Sequence, residues 1–116
     1  MSYFSIHNHS DIGSNAGLGF PDTICRVPDL IQRAYDLGLP GIALTDHESL
    51  SGHIQALNYY NSMGKDRSFT LGLGNEIYLV PEEWDAINKE HHNTYPYCHF
   101  ILLALDNDGH KQLREL

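Results

Sequence analysis

Cysteine is scarce in this chain: Cys25 and Cys98 are the two in 116 residues, and they lack the CxxC spacing of a zinc ribbon or redox pair. Thiols so far apart in sequence read as free groups in a reducing compartment, which sets aside a disulfide scaffold. Long apolar runs are missing as well. The longest, "FILLAL" at 100–105, is far too short for a bilayer, which takes about 20 apolar residues. No basic segment followed by an apolar stretch opens the chain, so no secretory signal is expected. Positive charge is sparse, with 7 basic residues against 15 acidic ones and a formal charge of −8. That balance repels phosphate-rich surfaces and suits a protein that concentrates cations. Internal repeats and low-complexity tracts are absent. These absences leave one small cytoplasmic domain spanning 1–116, with no membrane partner.

What the chain has in excess is histidine, eight in all. "SIHNHSDIG" at 5–13 sets two of them two residues apart. On a strand, side chains alternate between faces, so His7 and His9 point one way while Ile6 and Asn8 point the other. Two imidazoles on one face can chelate a divalent ion, yet two residues do not complete a site.

Residues 3–9 read as a first strand, followed by a Gly- and Asn-rich loop at 13–22. "VPDLIQRAYDLG" puts Val27, Leu30, Ile31, Ala34 and Leu37 at helical spacing and stops at Gly38. "PGIALTDH" is a short buried strand. "SLSGHIQALNYYNSMG" predicts a second helix with Ile54, Leu57 and Tyr60 or Tyr59 inward, ended by Gly64. "SFTLGLGNEIYLV" is a third strand. A polar loop with Pro81 and Pro96 follows, with one helical turn near "EEWDAINKE". "YCHFILLAL" is a fourth strand, and "DNDGHKQLREL" begins a helix capped by Asp106 or Asn107. The alternation predicts an α/β fold of about four parallel-type strands with right-handed crossovers. A closed barrel of the usual size needs roughly eight strands and about 250 residues. With the chain stopping at Leu116 inside an amphipathic turn, the expectation is the front part of a larger barrel or a shortened open version of one.

Ligands in parallel α/β folds gather beyond the carboxyl ends of strands. "TDH" at 45–47 lies at such an end, where His47 is a candidate ligand and Thr45 or Asp46 equally suits a turn. In "GLGNEIY", Glu76 shares a face with Gly72 and Gly74, so a carboxylate stands beside empty space in an apolar strand and needs a partner. A metal or a basic side chain would serve, and basic side chains are few. His99 opens the fourth strand rather than ending it, so it fits the strand-end rule poorly, and a rim or core histidine is the plainer reading. Cys98 points away from it. His91 and His92 fall on the polar loop and read as solvated. His53 and His110 fall in helices, His53 close enough to border a site. His7, His9, His47 and Glu76, from three strands, converge on one face. Mixed imidazole and carboxylate donors suit zinc, manganese or iron, and two or three such ions commonly hydrolyse phosphate esters. No serine elbow, Walker loop or Rossmann fingerprint competes.

In order and spacing, "HNH … TDH … GNE … H" resembles the polymerase and histidinol phosphatase (PHP) domain, in the version at the N-terminus of bacterial and phage DNA polymerase III alpha subunits. "IHNHSD", "GIALTDHESLSGH" and "GLGNEIY" look like its first three motifs, and "HFILLALDNDGHKQLREL" like the strand and helix that follow. The likeness runs over essentially the whole chain. It implies the N-terminal portion of a distorted seven-stranded β/α barrel, TIM-like, holding up to three metal ions. It implies that His7, His9 and Glu76 hold one ion and carry the chemistry. Glu76 would bridge to a second ion bound by His99, and Asp22 with His47 would hold a third. Asp11 competes with Asp22 for that role.

The family's remaining ligands fall beyond position 116, so each ion here is expected to have about one protein ligand fewer, and the chain alone to have weak or no activity. The resemblance implies a metal-dependent phosphoesterase or 3′–5′ exonuclease tied to DNA replication. Its substrate would be a phosphate ester or a DNA 3′ end, and its covalent partner the rest of a polymerase chain. A free-standing histidinol-phosphatase-like enzyme and a non-catalytic interaction module are the alternatives. The open strand edges of a half barrel favour self-association.

Overall fold

The computed structural model describes residues 3–13, 23–64, 68–79 and 98–116. Helix α1 (Val27–Asp36) leads into strand β1 (Gly41–Leu44), helix α2 (His53–Ser62), strand β2 (Thr70–Leu79), strand β3 (Cys98–Leu103) and helix α3 (Asn107–Leu113). The strands form one sheet in the order β1-β2-β3. The loop at 14–22, the predicted turn near "EEWDAINKE", and His91 and His92 lie outside the described residues.

α1 forms where its apolar spacing predicts, burying Val27, Ile31 and Ala34, but Leu37, the last residue of that spacing, is the C-cap and is exposed. Gly38, at φ +69°, ends it: Gly38 N donates to the Tyr35 carbonyl and Leu39 N to the Ala34 carbonyl, closing two otherwise orphaned acceptors. α3 starts at Asp106, whose side chain accepts from Gly109 N at 2.8 Å. The core lies between the two helices and the sheet and consists of Val27, Ile31, Ala34, Ile42, Leu44, Ala56 and Phe69.

β2 serves two neighbours in turn. Thr70–Leu73 pair with β1 in parallel, and Gly74–Leu79 pair with β3 in antiparallel register, Tyr78 opposite His99 and Glu76 opposite Ile101. The expectation of four parallel-type strands is thus corrected twice. β3 runs antiparallel, in keeping with a connecting stretch that lacks the apolar periodicity of a crossover helix. Residues 3–9 make no extended strand, only an isolated parallel bridge between Ser5 and Ile42. The cause is Asn8. Its Nδ2 donates to the Ala43 carbonyl at 2.8 Å, an acceptor that a continued ladder would use, and also to the Ser5 carbonyl at 3.2 Å, which keeps its ladder bond from Ala43 N.

α2 is also rotated from its predicted face. Ile54 and Leu57 are exposed, 73% and 40%, while His53 and Ala56 are buried and Tyr59, Tyr60 and Met63 pack on the core. Hydrogen bonds set this phase: Tyr60 donates to the Phe69 carbonyl at 2.8 Å, Tyr59 to Gln32 at 2.7 Å, and His53 is held from both ring nitrogens. Nor is there empty space beside Gly74. A Cβ there would meet the Leu102 carbonyl, the Leu103 side chain and the Thr45 methyl within 3.0 Å.

Ile31→Ala should therefore cost about 2–5 kcal/mol in urea denaturation, whereas Ile54→Ala should stay within about 0.5 kcal/mol of wild type. Equal losses would show that the inward face of α2 has been misplaced.

Candidate metal centre

The first segment is clamped to β1 through its even-numbered residues. Asn8 N donates to Thr45 Oγ1 at 3.0 Å, and Thr45 N returns a bond to the Asn8 carbonyl at 2.9 Å. Ser10 donates from both its backbone N and its hydroxyl to the Asp46 carboxylate, the hydroxyl at 2.8 Å from Oδ2. Asp46 and Ser10 are fully buried. Gly13 and Gly52 run so close to Asp46 that a Cβ on either would press against the carboxylate. Thr45 and Asp46 thus shape the turn, and His7 and His9 are left on the open side.

Glu76 sits in the second half of β2, beyond its pairing with β1, facing that side, with its side chain 2% exposed. One carboxylate oxygen, Oε2, lies 2.9 Å from His7 Nε2 and 2.6 Å from His9 Nε2. The other, Oε1, lies 2.8 Å from His99 Nδ1. Burial pushes the Glu76 carboxyl up, but the hydrogen bonds and charge of His7 and His9 together hold it below the usual carboxylate range. His99 reaches the cluster because β3 is antiparallel. The start of β3 lies beside the end of β2, so its position there agrees with the strand-end rule after all.

Among the described residues two groups of ligand atoms result, each mutually within 4.8 Å: His7, His9 and Glu76, and His47, Glu76 and His99. In the first, His7 Nε2 and His9 Nε2 approach to 3.0 Å while both face the same carboxylate oxygen. If both nitrogens donate to that oxygen, they are not bonded to one another. Three donor atoms converging on a common point suit a cation instead. A tetrahedral zinc with bonds of about 2.0 Å spaces its donors about 3.3 Å apart, so the rings need part only slightly. The donor set fits a divalent ion.

His53 and His110 show the contrasting case. Arg114 donates to His110 Nδ1 at 3.0 Å, His110 Nε2 faces His53 Nδ1 at 3.0 Å, and His53 Nε2 faces the Gly74 carbonyl at 2.9 Å. One proton per imidazole satisfies every contact, so no ion is required. Burial chiefly, with a smaller contribution from His110, holds the His53 imidazole below the histidine range despite the Gly74 carbonyl.

Of the sequence candidates, His7, His9, His47, Glu76 and His99 are brought together. His47, expected to share an ion with Asp22, lies in the Glu76–His99 group; Asp22 is outside the described residues. Asp11 is exposed and belongs to neither group among the described residues. Sequence reasoning missed the clamp of Asn8, Ser10 and Asp46, and Tyr78, whose ring lies against His47 and His99. Asn8 between two histidines, and an aspartate just after a buried apolar strand, were the available signals.

Residues 5–116 match the family model described as PHP domain. The chain is 34% identical over 114 residues to a DNA-directed DNA polymerase of Bacillus phage SPbeta, covering 95% of this chain and 8% of that protein. It is 27% identical over 113 residues to DNA polymerase III subunit alpha of Chlamydia muridarum, covering 97% of this chain and again 8% of the relative. The chain therefore spans about a twelfth of the length of these relatives. Its fold resembles the crystal structure of a protein from Bifidobacterium adolescentis named as a metal-dependent phosphoesterase. The TM-score is 0.61 at 21% identity, over 97% of this chain and 32% of that one.

Asp46→Ala should cost about 2–4 kcal/mol with or without added zinc, because two buried Ser10 donors lose their acceptor. His7→Ala should cost less, about 0.5–1.5 kcal/mol in metal-free protein, because the buried Glu76 Oε2 loses one imidazole and keeps His9. Urea midpoints of the two variants check this, and an unchanged Asp46→Ala midpoint would contradict the clamp.

Proposed function

The chain belongs to the PHP domain family, and we propose that its clustered imidazoles and carboxylate hold divalent ions for the hydrolysis of phosphate esters. The observation that supports this reading is Glu76: a carboxylate 2% exposed, with both oxygens engaged by imidazoles arriving from opposite sides. His7, His9 and Glu76 would hold one ion, and Glu76 with His99 and His47 a second. Asp22 remains the candidate to complete a third. Zinc, manganese or iron suits this donor chemistry. When bound, such ions polarise a phosphoryl oxygen and lower the pKa of water.

The protein's own part is to position these groups. The Asn8–Thr45 and Ser10–Asp46 bonds fix the backbone on either side of His9 on the side of the site that Glu76 occupies, and the hydrogen bonds to Glu76 orient the two imidazoles. His7 and His99 are half exposed, which leaves the mouth of the site open to a substrate as large as a DNA strand end. The polymerases among the relatives favour a DNA 3′ end within a longer, cytoplasmic replication protein over a free-standing small-molecule phosphatase. Among the described residues, no helix is long and apolar enough to cross a membrane. The outer edge of β3 carries no further strand among the described residues, which supports self-association of the isolated chain.

The test is hydrolysis of a nitrophenyl phosphodiester and of a 3′-labelled oligonucleotide by the full-length protein, with manganese or zinc supplied. Activity that His9→Ala and Glu76→Gln reduce to background is the expected result. No hydrolysis, with metal still raising Tm, would make the centre structural and overturn the enzymatic reading.

A further inference from the structure

We infer that Tyr78 is a positioning residue for the second ion site, serving as the wall that aims His47. The inference rests on the metal-centre reading and extends it to a residue that donates no ligand atom in that reading.

Metal-ligating histidines ordinarily have their second ring nitrogen tied to a carboxylate, carbonyl or water, which fixes the ring. In the metal-free protein His99 reaches the Glu76 carboxylate through Nδ1, as His9 and His7 do through Nε2, and those bonds orient their rings. His47 has no such bond. Its backbone is held on both sides of the ring, by Glu76 N to the Asp46 carbonyl at 3.1 Å and by Glu48 N to the Glu76 carbonyl at 2.8 Å. Glu48 meets that geometry only at φ +50°, a strained conformation for a residue with a side chain. The His47 ring makes no hydrogen bond to any described residue; the rings of His9, Tyr78 and His99 lie against it, with the Glu76 carboxylate within 4.8 Å.

Tyr78 is the nearest of them, with centroids 4.5 Å apart and planes at 58°. The same phenol ring lies 4.9 Å from His99, which in turn lies 5.0 Å from His47. Tyr78 stands on β2 two residues beyond Glu76, on the same face, and directly opposite His99 in register. Its placement is therefore set by the strand that carries the shared carboxylate. Contacts between rings favour particular relative orientations, and so select one orientation of the His47 ring where no hydrogen bond does. The ring performs this role, so phenylalanine substitutes for it.

Cobalt(II) and zinc titrations of the protein, read by visible absorption and calorimetry, test the inference alongside 13C relaxation of the His47 ring in metal-free protein. Tyr78→Ala should weaken the second ion by about 10- to 100-fold, leave the first within about threefold, and make the His47 ring mobile. Tyr78→Phe should match wild type in all three readouts. First-ion affinity reports that the variants fold. A His47 ring equally ordered in wild type and Tyr78→Ala overturns the positioning role, as does a Tyr78→Phe variant as impaired as Tyr78→Ala. Wild type binding no ion at all would overturn the metal-centre reading instead, while ring order would still decide the role of Tyr78.

Discussion

A carboxylate that has left water must be matched by charge or hydrogen bonds, and Glu76 is matched on both of its oxygens. The cost of burying it unpaired is large compared with the few kcal/mol by which a domain this small is stable. The side chains that satisfy it come from the first segment and from β3. Its backbone meanwhile bridges to the segment after β1. One residue thereby ties together the pieces of chain that make the site. Removing its partners would leave a charge that neither the sheet nor solvent answers.

The architecture follows from how those pieces are brought within reach. β2 is long enough to pair with β1 over its first half and β3 over its second, so a single strand orders both flanks. Because β3 is antiparallel, its opening residues meet the pole where β1 and β2 finish. The clamp through Asn8 and Asp46 replaces a regular ladder at the sheet edge with side-chain bonds. That exchange breaks the strand and in return presents two imidazoles side by side.

Much of this was legible in the sequence where one local rule dominates. The apolar spacing of α1, its stop at Gly38 and the cap at Asp106 all follow from short-range chemistry, and each stands where it was expected. The convergence of His7, His9, His47 and Glu76 was legible too, since strand alternation and the strand-end rule point them the same way. Strand direction was not, because alternating elements imply parallel pairing only when each connection is a crossover helix. The face of α2 was misread because counting aliphatic residues overlooked the hydrogen bonds of His53, Tyr59 and Tyr60. His99 looked misplaced for the first of these reasons alone. The likeness to PHP domains implied a ligand role for it, and the antiparallel strand accounts for how its ring reaches Glu76.

The most direct measurement is an anomalous-scattering map of crystals grown with zinc or manganese. The account predicts one peak among His7 Nε2, His9 Nε2 and Glu76 Oε2, and a second among His47, Glu76 Oε1 and His99 Nδ1. A map with no peak within bonding distance of Glu76, its carboxylate still bonded only to imidazoles, would contradict it.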